Sequence, residues 1–207
     1  EQADRLERLE MQATSAQLAM LRYQLNPHFL FNTLNSLSAL VMTGKTDRAE
    51  QMIQTISRFY RHSLADHPTG DVSLEDEIDL QEHYLAIEAV RFPERLRIKV
   101  DLPPELARYQ VPGMILQPLV ENSVKYGVSA SRKPVTITIA AREEYGRLVL
   151  TVSDDGPGTA GEHGFGIGLA NVRDRLEARF GNSATIVSGP ALTGYETELR
   201  LPMVKHG

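Results

Sequence analysis

The sequence predicts an α+β chain, a helical hairpin followed by an α/β sandwich, and two observations carry the prediction. Up to about residue 70 the apolar residues recur at steps of three and four, the period of a helix face. Beyond Pro93 the pattern changes to alternating stretches with helical stretches between them. Helices first, then strands mixed with helices, describe a helical domain over 1–70 and an α/β domain over 71–207. The 207 residues suffice for two small domains, and 42% hydrophobic with 24% charged residues exclude a disordered or collagen-like chain.

The elements follow in order. Leu6, Leu9, Ala13, Ala16, Met20, Tyr23, Pro27 and Leu30 form a heptad seam, weakened by its two alanines, which reads as a connector helix entering a bundle. Pro27 lacks an N–H and clashes with the carbonyl of Tyr23, so a kink is expected there. The stripe continues through Leu34, Leu37 and Val41, while Phe29 and Phe31 add apolar surface off the seam that further helices must cover. Gly44 is a C-terminal stop and Thr46 an N-cap. After them Ala49, Met52, Ile53, Ile56, Phe59 and Tyr60 mark one face of a second helix.

His67-Pro68-Thr69-Gly70 breaks the pattern and places the domain boundary near Gly70. Ser73 and Asp76 form a capping box that opens a third helix running to about Arg91. Strands are expected at Leu96 to Leu102, Val135 to Ala140, Leu148 to Val152 and Glu196 to Leu201. Helices are expected around Pro112 to Tyr126 and Leu169 to Phe180.

Composition removes several classes of function. Lys+Arg 22 against Asp+Glu 27 leaves no broad cationic surface, so direct nucleic-acid binding is not expected. The absence of cysteine excludes disulfides, thiolate nucleophiles and Cys-ligated metals. No apolar run approaches the roughly 20 residues that span a bilayer, and the charged start, Glu1 to Glu10, lacks a signal-peptide core. A soluble, cytoplasmic piece of a longer chain is expected.

Three clusters could carry chemistry. In Leu116 to Tyr126 an amphipathic helix would bring Asn122, Lys125 and Tyr126 together at i, i+3 and i+4. An amide oxygen can ligate Mg²⁺ and an ammonium can meet phosphate, though the segment also reads as an ordinary helix end. Asp154-Asp155-Gly156-Pro157-Gly158 follows a strand, so the glycines would let the backbone turn and leave an acid facing a cleft; Asp-Gly is also a common turn. Gly164-Phe165-Gly166-Ile167-Gly168-Leu169 leads into a helix whose N-terminus would offer N–H donors to phosphates. It is not the dinucleotide fingerprint, since position 169 is Leu. Gly44-Lys45-Thr46 is not a P-loop, since position 39 is Ala.

Taken in order, the Asn-bearing helix, Asp-x-Gly-x-Gly and Gly-x-Gly-x-Gly-Leu over Leu96 to Pro202 resemble the Bergerat-type ATP-binding fold shared by histidine kinases, DNA gyrase, and the chaperone and mismatch-repair clamps. Leu25-Asn26-Pro27-His28-Phe29-Leu30-Phe31-Asn32-Thr33-Leu34-Asn35 closely resembles the phosphoacceptor helix of LytS-like sensor histidine kinases. Leu116 to Asn122 and Asn171 to Leu176 resemble that family's nucleotide motifs.

The resemblance implies ATP and Mg²⁺ as cofactors, with Asn122 on the metal. It puts Lys125, Tyr126, Asp154, Gly156, Gly158, Gly164, Gly166, Gly168 and Leu169 on the nucleotide. His28 is then the phosphoacceptor, which passes its phosphoryl group to an Asp of a response regulator. A homodimer built on Leu6 to Leu64 is expected, as is a full-length protein in the inner membrane, reached through a region N-terminal to this one.

Physical reasoning fits that role, because His28 lies beside the seam and keeps a ring nitrogen reachable, as a neutral imidazole nucleophile must. Two departures stand out. Phe29 occupies the place where many histidine kinases carry an acid, so no general base is assigned, and the segment Thr159 to His163 is short for an ATP lid. His62, His67, His83 and His206 show no metal-site spacing and read as structural or surface residues, and His163 as a solvated loop residue. The rival classes are an ATPase clamp and a nucleotide-binding dimeric scaffold. Clamps place a water-activating Glu one turn before the Asn, where this chain has Pro118.

Overall fold

The structure, a computed structural model, describes residues 26–63, 70–157 and 166–205. The connector seam from Leu6 to Tyr23 lies outside them, as do His67, Gly158, His163, Gly164 and His206. The chain forms two compact units, Glu1–Gln54 and Thr55–Gly207.

In the first unit, α1 (Pro27–Met42) is followed by a turn at Thr43 to Lys45 and the start of α2 (Thr46–Ser63). Pro27 opens α1, and the Tyr23 side of the expected kink lies outside the described residues. Proline tolerates the first helical turn, where its missing N–H has no partner to lose, and Asn26 caps the turn by accepting the Phe29 N–H at 3.2 Å. Gly44 stops the helix as expected, at φ +70. Phe29, Thr33 and Leu40 are buried on one face of α1, and Ala49 and Met52 on α2. Phe31, Leu34, Val41, Met42 and Ile53 remain exposed.

Compactness divides the chain inside α2, ahead of Gly70, because the end of α2 packs on α3 (Leu74–Arg91). The Phe59 ring lies 6.0 Å from that of Tyr84, and His62 stacks on His83 at 5.9 Å. Ser73 caps α3 as expected: its Oγ accepts the Asp76 N–H at 3.1 Å and donates to the Asp76 carboxylate at 2.6 Å, an arrangement worth about 1 kcal/mol.

The sandwich is built on a five-stranded sheet of order β2-β4-β5-β7-β6: β2 (Leu96–Asp101), β4 (Val135–Glu144), β5 (Arg147–Asp154), β6 (Thr185–Pro190) and β7 (Tyr195–Pro202). The β2–β4 pair is parallel and the others antiparallel. Two short strands, β1 (Asp71–Ser73) and β3 (Gln110–Pro112), pair separately. Neither they nor β6 were expected from the sequence.

One sheet face carries Ile137, Ile139, Leu148, Leu150, Leu199 and Leu201, all fully buried. Each such side chain contributes about 1.5–3 kcal/mol relative to exposure. The opposite face is polar, with Arg142, Arg200, Glu144 and Glu198 linked as ion pairs across β4 and β7. Those two arginines flank Val149, which is fully buried, in the ladder. The helical layer comprises α3, α4 (Gln117–Asn122) and α5 (Ile167–Phe180).

Candidate functional site

The sheet's central strand, β5, ends at Asp154, on the buried face and only 5% exposed. The two adjacent acids divide their work. Asp155 Oδ1 accepts the Thr136 N–H at 2.6 Å and so ties the turn to β4. Asp154 turns inward, where its Oδ1 accepts the Gly156 N–H at 3.1 Å and the Ser123 hydroxyl binds its carboxylate. Burial pushes this carboxyl above the usual carboxylate range, opposed by the hydrogen bonds from Ser123 and Gly156.

Two glycines, Gly127 and Gly156, wall the carboxylate in, and a third, Gly194, packs on the Asp154 backbone. A Cβ on Gly127 would lie 2.5 Å from Asp154 Oδ1, and one on Gly156 would lie 2.6 Å from the Gly127 Cα. Gly194, at φ +76, would place a Cβ 1.7 Å from the Asp154 carbonyl oxygen. A side chain at Gly127 or Gly156 would fill the cradle, and one at Gly194 would collide with the backbone of Asp154. Thr197, buried on the same sheet face as Asp154, bonds Ser188 at 2.7 Å.

The expected helix from Pro112 to Tyr126 is shorter and changes type. Its first part is the β3 strand and a turn, and α4 gives way after Asn122 to a turn of π-helix, Ser123–Val128. The i, i+3, i+4 spacing of an α-helix therefore does not describe Asn122, Lys125 and Tyr126. The wider turn carries Ser123 and Gly127 onto Asp154, and π-turns of this kind recur at functional sites. Asn122 is half-buried at the end of α4, and the Lys125 ammonium sits 4.8 Å from the centre of the exposed Tyr126 ring. Arg95 holds the far end of the turn by donating to the carbonyls of Val128 and Ser131.

Gly166 is the residue before α5 and has open space where a Cβ would stand. Gly168 packs on α4, where a Cβ would meet Pro118 at 3.4 Å, and Leu169 is buried. The structure thus brings Asp154, Gly156 and the π-turn into one cradle, with α5 against α4.

His28 is exposed in the first turn of α1. The Asn32 amide nitrogen lies 3.1 Å from its Nδ1 and 3.4 Å from its Nε2. Phe29, in the place of the missing acid, is buried.

Sequence reasoning missed Ser123, Gly127, Gly194 and the His28–Asn32 contact. Only Gly127 carried a local signal: a glycine inside a helical pattern marks a close backbone approach.

A buried acid at a strand end, walled by glycines and flanked by two helix-borne motifs, belongs to the nucleotide-binding α/β sandwiches. Comparison with known proteins agrees. Residues 110–205 match the family described as histidine kinase-, DNA gyrase B-, and HSP90-like ATPase, and residues 16–96 match the family described as histidine kinase. The chain belongs to the sensor histidine kinases, with LytS-type proteins among its relatives.

It is 36% identical over 202 residues to the sensor histidine kinase BtsS of Escherichia coli K12, an alignment covering 97% of this chain and 36% of that protein. It is 36% identical to the sensor histidine kinase YesM of Bacillus subtilis, covering 80% of this chain and 29% of YesM. The sensor protein LytS of Staphylococcus haemolyticus is 32% identical, with 83% of this chain and 31% of LytS covered. The chain spans about a third of the length of these relatives.

Among solved structures, the catalytic domain of histidine kinase ThkA superposes with a TM-score of 0.51 at 15% identity, covering 66% of this chain and 96% of that one. Histidine kinase AdeS of Acinetobacter baumannii gives 0.51 at 12%, covering 84% and 95%. At these identities the likeness is one of fold.

Proposed function

We propose that the chain is the autokinase core of a two-component sensor, in which His28 takes the γ-phosphoryl group of ATP and passes it to an aspartate of a response regulator. The observation that carries this reading is the glycine-walled Asp154 carboxylate. It retains acceptor capacity for the adenine amino group, and the absence of side chains at Gly127 and Gly156 leaves room beside it.

The residues present fit a magnesium nucleotide. Asn122 would hold Mg²⁺ through its amide oxygen, and the metal would neutralise phosphate charge during transfer. Lys125 and the amides at Gly164, Gly166 and Gly168 would steady the phosphates, with Gly158, Tyr126 and Leu169 shaping the site's edges. Phosphoryl transfer is then largely positioning: an imidazole nitrogen of His28 attacks the γ-phosphorus, the bond to the ADP oxygen breaks, and the ring proton leaves to a base. Asn32, in contact with the ring, orients it, and its amide can donate or accept as the tautomer requires.

The working division is 1–70 as the dimerising phosphoacceptor segment and 71–207 as the catalytic domain. Pairing of two chains in a homodimer would cover the apolar residues left exposed on α1 and α2, namely Phe31, Leu34, Val41, Met42 and Ile53. No helix among the described residues is long and apolar enough to cross a membrane, so attachment to the inner membrane would come from a region outside this one.

Incubation with γ-labelled ATP and Mg²⁺ tests the reading. Acid-labile label on the protein is expected. Label released as phosphate would instead indicate an ATPase clamp, and label remaining on ATP a scaffold.

A further inference from the structure

We infer that Glu77 is a positioning residue for the nucleotide site: its carboxylate clamps the Gly113–Leu116 turn, and with it the start of α4, against α3 and α5. The inference rests on the reading of the Asp154 cleft as an ATP site.

Glu77 lies in the first turn of α3 and is 1% exposed. Charged residues in that position usually face water, and this one does not. Among the described residues, the polar groups that meet its carboxylate are donors. Oε2 accepts the Met114 N–H at 2.6 Å, and Oε1 accepts the Leu116 N–H at 2.8 Å and the Gln81 side-chain amide at 3.4 Å. Arg175 of α5 supplies the facing positive charge and donates to the Gly113 carbonyl at 2.8 Å. Such a ring of donors requires two acceptor oxygens, which a carboxylate has and an amide lacks.

What the clamp holds is strained and otherwise uncapped. Met114 sits at φ +58, a left-handed conformation that costs a non-glycine residue and persists only when its surroundings enforce it. Leu116 is the N-cap of α4 with no side-chain cap of its own, so Glu77 serves as the cap from another helix. From that anchored end α4 runs to Asn122 and into the π-turn that places Ser123 and Gly127 on Asp154. On its flank, Pro118 receives Gly168 of α5. A loosened turn at Gly113 to Leu116 therefore displaces both nucleotide-facing motifs at once.

The test uses Glu77→Gln in the 207-residue chain, because the isostere fills the same volume and would satisfy a merely space-filling role. Amide exchange at Met114 and Leu116 is expected to accelerate at least about tenfold, while Ile139 and Leu150 stay protected. Mg-ADP binding, measured by calorimetry, is expected to weaken about tenfold. Adding Met114→Gly should recover at least about threefold of that affinity, since glycine adopts the left-handed turn without help.

Arg175→Met removes only the α5 arm and provides the reading if Glu77→Gln does not fold. A smaller loss of affinity, about threefold, with faster exchange at Met114 is expected. Unchanged exchange at both amides, or unchanged Mg-ADP affinity with accelerated exchange, overturns the proposal. If the parent chain binds no nucleotide, the reading of the site has failed, and the amide exchange still decides whether the clamp exists.

Discussion

Gly127 lies so close to Asp154 that a methyl group on it would stand 2.5 Å from the carboxylate oxygen Oδ1. The contact joins the π-turn to the end of the central strand, so the shape of the cradle depends on one residue having no side chain. Gly127→Ala should weaken nucleotide binding at least about tenfold and destabilise the fold by about 1–3 kcal/mol, the range for forcing a methyl into packed surroundings. Calorimetric titration with Mg-ADP and a denaturant melt check both effects. Full affinity in the alanine variant would mean that the cradle is not the binding surface.

Asp154→Asn tests base recognition. The amide can still accept from the Gly156 N–H, but its own donor meets the adenine amino group poorly, so the loss should be partial, about 1–3 kcal/mol. Competition between ATP and GTP is the sensitive measurement. A variant that discriminates the two as well as the parent does would show that Asp154 is not the base-reading group.

The two halves of the mechanism should break independently. His28→Gln is expected to lose autophosphorylation and keep Mg-ATP binding, whereas Asn122→Asp keeps an intact acceptor but binds Mg-ATP poorly, because a new negative charge stands beside the phosphates. Asn32→Ala should slow labelling about tenfold at unchanged nucleotide affinity, since it frees the ring it touches. Label on histidine in the His28→Gln protein would move the acceptor assignment to His62 or His67.

Stability should carry a pH signature of Glu77, whose carboxyl is raised to about 7, chiefly by burial. In the unfolded chain it titrates near its ordinary value of 4.5, so between about 4.5 and 7 the folded state holds the extra proton. The stability linked to this proton is therefore fully present below that window and is lost as pH rises through about 7, because a buried carboxyl must ionise, a cost that the Met114 and Leu116 N–H groups and Arg175 offset in part. Glu77→Gln, which cannot ionise, should gain on the parent protein as pH rises from 4.5 to 7 and hold a constant difference above it. Parallel stability curves from urea titrations across that range would refute the assignment.

The sequence by itself determined the class of fold and the order of the major elements, because both are written in local periodicity or in a few adjacent residues. The faces of α2 and α3 and the alternation of β4 and β7 follow from the geometry of a single helix or strand turned toward a core, and the central strand β5 is an apolar run buried on both faces. Three-residue strands such as β1 and β3 have no period to read, and β6 is an edge strand with no buried residue, each one either exposed or half-buried.

Tertiary structure alone decided the rest. Asp154 and Asp155 are chemically identical neighbours, and only the strand register with β4 turns one to the cleft and the other to Thr136. The π-turn exists where Gly127 meets a strand far along the chain, which no window of sequence contains. Glu77 reads locally as a solvated helix residue, yet amides and a guanidinium from distant segments surround it. A buried charge is tolerated only where such donors converge, and their convergence is a property of the assembled layers, not of any one of them.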